Sequence, residues 1–297
     1  MKTAMSTFHA SPFLAALRRI RTAISCSRLQ VLLLMLLPIG HASAQLMVHP
    51  TRIVLEGDQR SAQLEIINNT NRPATYQLSV VNRRMDVNGG FSNIETAAPG
   101  ELFAEDMLRY SPRRISLAPG AGQVVRIMAR KPANLPSGEY RSHLLFSEQL
   151  QPSATPRPPG EEPAEGIGIS LIPLVGVSIP VIVRSGDTAA TVSMGALAVH
   201  PSKTGQSATV SLELHRTGNQ SVYGDLILYF HPKGGTPREI GRAGGVAVYT
   251  PNAFRRIGMQ LTSEMGAAPS NGSLTAVYRA RPDDGGEVLA EASLTLP

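Results

Sequence analysis

The sequence predicts an all-β protein built of two β-sandwich domains. Three observations carry this. Long amphipathic helical stretches are absent. Short alternating apolar and polar runs recur between clusters of Gly, Pro, Asn and Asp, in a chain with 27 Gly, 23 Pro and no Trp. One stretch, Gly166 to Arg184 (GIGISLIPLVGVSIPVIVR), is apolar at every odd position from Ile167 to Val183. That period of two places one apolar stripe on one face of a strand. An ordinary strand runs about 5–6 residues, and this one is about three times as long, more than a small sandwich buries against itself. Pro173 and Pro180 cannot donate to a ladder, which predicts an edge strand. A long apolar edge is an aggregation hazard unless it serves strand addition to a partner. The alternative is two short buried strands broken at a proline.

The strands are expected in order. The first covers Arg52 to Leu55, followed by a turn at Glu56-Gly57-Asp58 and a strand from Ser61 to Ile67. After the turn Asn68 to Asn71 come Ala74 to Val81, Leu108 to Ser116, Gln123 to Arg130 and Tyr140 to Gln149. Seven or so short strands at this spacing predict an immunoglobulin-like sandwich. The Pro- and Glu-rich stretch Gln151 to Gly166 is expected to form no packed element. After the long strand, Ser185-Gly186-Asp187 is the strong break. Further strands are expected near 191–199, 208–215, 224–230, 253–261, 273–280 and 287–296, with Gly241 to Gly245 as a turn. The predicted organisation is therefore a leader at 1–44, a first domain at 45–184 and a second at 185–297.

The leader is read from Arg18, Arg19, Arg21 and Arg28, the apolar run Val31 to Gly40, and the small residues Ala42-Ser43-Ala44. This is the order of a secretory signal, and about ten apolar residues are too few to span a membrane. Gln45 is the expected first mature residue, and Met5 or a later methionine is an alternative start. The formal charge is +6, and the leader holds Lys2 and four arginines without an acid, which leaves +1 for the remainder. Charge therefore gives no case for nucleic-acid binding. The only cysteine, Cys26, precedes the apolar core, so neither a lipid-anchor cysteine nor a disulfide is expected.

Three blocks resemble the periplasmic chaperones of the chaperone–usher pilus pathway: PTRIVLEGDQRSAQLEIINNTNRPATYQL, SPRRISLAPGAGQVVRIMARKPANLPSGEYRSHLLF and IPLVGVSIPVIVR. They cover nearly all of the first domain, in family order. The second domain is similar mainly in size and in RARPDDGGEVLAEASLTL. The wording GEYRSHLLF looks closest to the divergent, archaic-like branch. The resemblance implies a boomerang of two immunoglobulin-like domains that binds pilin or fimbrial subunits by donor-strand complementation and passes them to an outer-membrane usher.

On that reading the donor residues are Ile167, Ile169, Leu171, Pro173 and Val175, and Val177 to Val183 belong to the first domain's own core. The resemblance makes Arg52 the anchor for the subunit's terminal carboxylate, for which a guanidinium fork is chemically suited; a surface arginine on an edge is the alternative. The family's second anchor, a lysine on the long strand, is missing, and Pro180 falls about there. Arg113 and Arg126 are the candidate substitutes. Arg184, Asp283 and Glu139 are the candidates for an interdomain ion pair. No catalytic constellation is found: His49, His143, His200, His215 and His231 lack zinc-ligand spacing, and nucleophile-elbow and phosphate-loop patterns are absent. The expectation is a periplasmic chaperone without enzyme activity, cofactor, metal, nucleic-acid partner or membrane insertion after leader removal. Self-association of the free protein stays open. The alternative is a secreted structural sandwich of the pilin or adhesin kind.

Overall fold

In the computed structural model, which describes residues 46–149, 176–201, 207–261 and 269–297, no α-helix occurs among the described residues. Regular structure is strand, with single 3-10 turns at Glu105–Met107 and Pro282–Asp284. No helix among the described residues is long and apolar enough to cross a membrane. The expected leader, the loop 151–166 and the donor residues Ile167, Ile169, Leu171, Pro173 and Val175 lie outside the described residues.

The first sandwich is built from β1 (Leu46–His49), β2 (Ile53–Leu55), β3 (Ser61–Asn68), β4 (Ala74–Val81), the short hairpin β5 (Arg83–Met85) and β6 (Phe91–Asn93), β7 (Leu108–Ser111), β8 (Arg114–Leu117), β9 (Gly122–Ala129), β10 (Gly138–Gln149) and β11 (Gly176–Ser185). One sheet has the order β1-β3-β9-β7 and the facing sheet β2-β11-β10-β4-β8. These are the two sheets of an immunoglobulin-like sandwich, with its first and fourth strands each divided between the sheets. Alternating residues from both sheets fill one core, in which Leu55, Ile66, Val125, Phe146, Val181 and Val183 are fully buried. The single strand expected over Leu108 to Ser116 is instead two. Pro112 has no N–H to continue the ladder, and there the chain crosses from β9's sheet to pair with β4.

The second sandwich has β12 (Ala190–His200), β13 (Thr209–Gly218) and β16 (Phe254–Gln260) in one sheet. Its other sheet is β15 (Arg238–Val248), β14 (Val222–Pro232), β17 (Gly272–Ala280) and β18 (Val288–Leu296). Its core holds Leu214, Leu226, Leu228, Val248, Leu274 and Tyr278 at zero exposure. Gly241 to Gly245, expected as a turn, lies inside β15. Its glycines let the strand bulge where the register with β14 shifts. Gly245 has φ +68° and gives its N–H to Asp225 Oδ1 at 3.0 Å.

A third, smaller apolar cluster joins the sandwiches. Met85 and Ile182 from the first meet Ala247 and Tyr249 from the second, flanked by Val54 and Tyr223. The β5–β6 hairpin clasps this seam. Asn252 Nδ2 donates to Met85 O at 2.8 Å, Arg256 N–H donates to Val87 O at 2.6 Å, and Phe91 packs on Tyr249. β10 is therefore buried on both faces. Tyr140, Leu144 and Phe146 enter its own core. On the other face lie Glu139, Arg141 and His143, of which Glu139 and Arg141 contact the second sandwich.

His143 sits edge-on to Phe91 with its rings 5.3 Å apart. Burial first, then the Arg141 and Arg83 cations, pushes its pKa down to about 3. A histidine neutral in the fold but titrating near 6.5 when unfolded favours the folded state above pH 6.5. That contribution is lost as pH falls from about 6.5 toward 3, at about 1.4 kcal/mol per pH unit. Urea midpoints between pH 7.5 and 4.5 are expected to fall more steeply for the wild type than for His143→Gln; parallel slopes would remove His143 from the account.

Candidate functional site

The site is set by the two sides of β11. On one side it pairs with β10 along its whole described length, from Ser147↔Gly176 to Gly138↔Ser185. On the other it meets β2, in parallel, at only three residues, Val181 to Val183. The strand is thus not a free edge throughout, as the prolines suggested: Val181 to Val183 are interior. From Gly176 to Pro180 no strand pairs with the β2 side among the described residues. Pro180 marks the change, where a missing donor costs least. The inward positions agree with the stripe: Ile179, Val181 and Val183 are buried in the core, with Val177 packed against it. The even position Ile182, at zero exposure, belongs to the seam between sandwiches.

Arg52 stands at the N-terminal end of β2, beside Pro180 and the uncovered segment, because Ile53 pairs with Val181. It faces a cleft between the sandwiches. A cavity of about 550 Å³ there is lined by His49 to Arg52, Val54, Tyr223, Arg281, Asp283 and Asp284. A second, of about 470 Å³, shares Arg52, Val54, Tyr223 and Asp284. The guanidinium lies over the Tyr223 ring, 4.7 Å from its centroid. Its Nη2 reaches Ser221 Oγ at 3.3 Å, and its Nε is buried without a partner. Arg52 takes part in no ion pair among the described residues. A half-buried guanidinium with donors to spare is suited to an incoming carboxylate.

The interdomain ion pair expected of Arg184, Asp283 and Glu139 does not form: Arg184 pairs within the first sandwich. Arg184 Nε meets Glu139 Oε2 at 3.1 Å, and Arg184 Nη1 meets Glu56 Oε2 at 2.7 Å. Asp283 is exposed and lines the Arg52 cavity instead. Register explains the pairing: Glu139 is Arg184's direct neighbour on β10, and Leu55 pairs with Val183, so the next residue, Glu56, arrives beside Arg184. Glu139, 2% exposed, also accepts the Ser221 N–H at 3.1 Å. One carboxylate thus ties β10, β11 and the second sandwich together. The sequence marks Glu56 only as a turn residue.

Arg113 and Arg126 are not brought to Arg52. Both are exposed, Arg113 over the Tyr110 ring at 5.5 Å. Arg113 leads into β8, which closes the opposite edge of β2's sheet. Four strand spacings separate those edges, about 19 Å. Arg126 lies in β9 of the facing sheet, paired with Ser111. Arg281 and Tyr223, which share Arg52's cavity, had no signal in the sequence beyond Arg281's place in RARPDDGGEVLAEASLTL.

No family model matches the chain, and no curated protein does. Solved structures to which it is similar include several chaperones, some of them in complex with a pilin or a tip subunit. One is the CupB2 chaperone of Pseudomonas aeruginosa, at 15% identity over 84% of this chain and 100% of that one, with a TM-score of 0.39. Another is the CsuC–CsuE chaperone–tip subunit pre-assembly complex from the archaic chaperone–usher Csu pili of Acinetobacter baumannii (14% identity, 86% and 100% covered, TM-score 0.41). A third is the Salmonella enterica SafA pilin in complex with the SafB chaperone (15% identity, 84% and 96% covered, TM-score 0.37).

Proposed function

We propose that this protein is a periplasmic chaperone that captures fimbrial subunits by donor-strand complementation and delivers them to an outer-membrane usher. It acts by binding and without catalysis, as two immunoglobulin-like domains spanning 45–184 and 185–297. The observation that carries the reading is the β2 side of β11. Among the described residues no strand pairs with it from Gly176 to Pro180, and it lies directly beside Arg52, which takes part in no ion pair among those residues. The apolar stripe continues from there toward the N-terminus through Val175, Pro173, Leu171, Ile169 and Ile167.

A subunit whose own sandwich lacks a strand takes this stripe as the replacement. Main-chain hydrogen bonds supply affinity, and alternate side chains fill its groove. Each aliphatic side chain buried contributes about 1.5–3 kcal/mol, which offsets backbone ordering at about 1–2 kcal/mol per residue. The subunit's last strand, running along Gly176 to Pro180, ends at Arg52, and its terminal carboxylate fixes the register.

Capture from a periplasmic extract tests this. The wild type is expected to retain a stoichiometric small β-rich subunit. Arg52→Ala is expected to weaken capture by about 2–5 kcal/mol, as when one member of a buried charge pair is truncated. A wild type that retains no subunit would favour a structural role of the pilin or adhesin kind. Unchanged capture by Arg52→Ala would remove the carboxylate anchor.

A further inference from the structure

We propose that Arg281, from the second sandwich, is the second cation that receives the incoming chain's terminal carboxylate, across the cleft from Arg52. This rests on the capture reading above and goes beyond it by assigning the anchor to both sandwiches. The long strand itself offers no lysine, and its only basic residue, Arg184, is held by Glu139 and Glu56.

Arg52 and Arg281 line one cavity and share one ring. Their guanidinium carbons lie 4.7 and 5.9 Å from the Tyr223 centroid, so they are separated by at most the sum of those distances. Both guanidinium groups lie within cation–π distance of the Tyr223 ring, an interaction that uses none of their N–H donors. Arg281's backbone is fixed by the 3-10 turn that follows it. Its carbonyl accepts from Asp284 N–H at 2.9 Å and Gly286 N–H at 3.0 Å. Gly285 and Gly286 sit at φ +97° and +67°, where a side chain would be strained.

The side chain is held loosely. Its ion pair to Asp225 Oδ1 is 3.5 Å long, and that oxygen already accepts the Gly245 N–H at 3.0 Å. Donors on both arginines therefore remain for the lone pairs of one carboxylate. Asp283 and Asp284 line the same cavity, so a second negative charge beside the terminal carboxylate is disfavoured. The ligand class is an extended peptide C-terminus with a free carboxylate and no neighbouring acid.

The probe is a pair of peptides, acetyl-Thr-Val-Thr-Val-Ser-Ala with a free carboxylate and the same peptide amidated. Binding is followed through the arginine side-chain N–H signals in NMR titrations of the full mature chain. The free acid is expected to shift the Arg52 and Arg281 signals with one common Kd, at least tenfold tighter than the amide. Arg281→Ala is expected to lose most of that tenfold preference with the rest of the spectrum unchanged, and Arg281→Lys to recover part of it. A full preference retained in Arg281→Ala, or an Arg281 signal that does not move, overturns the Arg281 assignment alone and leaves Arg52 as anchor. Equal Kd values for acid and amide in the wild type, or no shift with either peptide, overturn the assignment together with the Arg52 anchor.

Discussion

Leu171→Asp or Val175→Asp is expected to abolish subunit capture and to leave the protein folded. A carboxylate placed in a partner's hydrophobic groove costs several kcal/mol unless it is neutralised, enough to erase the gain from one or two neighbouring aliphatic side chains. The contrast along one strand makes the prediction sharp. Val181 has the same parity as Leu171 and Val175 but is fully buried in the first sandwich's core. Val181→Asp is therefore expected to destabilise the protein itself. Co-purification of subunit and thermal unfolding, measured side by side on the three variants, separate the two outcomes. Wild-type levels of subunit with Leu171→Asp and Val175→Asp would sink the donor-strand reading.

Glu139→Ala is the second large effect, and it acts on the fold. The variant leaves Arg184, whose side chain is 13% exposed, without its buried partner, and leaves the buried Ser221 N–H without an acceptor. Breaking a buried pair from one side costs about 3–5 kcal/mol. The internal control is Glu56→Ala: that carboxylate bonds the same arginine but is 58% exposed, so its loss costs about 0–1 kcal/mol. Urea unfolding of both variants checks this. Equal losses would mean that Glu139 does not tie the sandwiches together.

The strands legible in the sequence were those with one wet face. Ser61–Asn68, Ala74–Val81 and Gly122–Ala129 were each expected to within about a residue, since a period of two with turn residues at both ends leaves little freedom. The misses have separate causes. β15 carries its bulge in glycines, which punctuation rules read as a turn. β10 was expected at Tyr140 to Gln149 and runs over Gly138–Gln149, but its polar face, Glu139, Arg141 and His143, is buried, so its alternation says nothing about which elements cover that face. The single strand expected at Leu108 to Ser116 failed because Pro112 moves the chain between sheets, which a local pattern does not encode. At the site, Arg52 and Glu139 were named from resemblance. Tyr223 and Arg281 come from the other sandwich, and only the docking of the two cores puts them beside Arg52.

The central claim is that β11 lends its uncovered side to a partner strand. Amide hydrogen exchange over residues 167–180, compared between the free protein and the complex with its captured subunit, tests it most directly. Strand addition pairs these amides with the partner's carbonyls. The account predicts that exchange slows sharply on binding between Ile167 and Ile179 at the amides that β10 does not already pair, while the core amides of Val181 to Val183, already between β10 and β2, do not change. Unchanged exchange from 167 to 179 in a stoichiometric complex would contradict it.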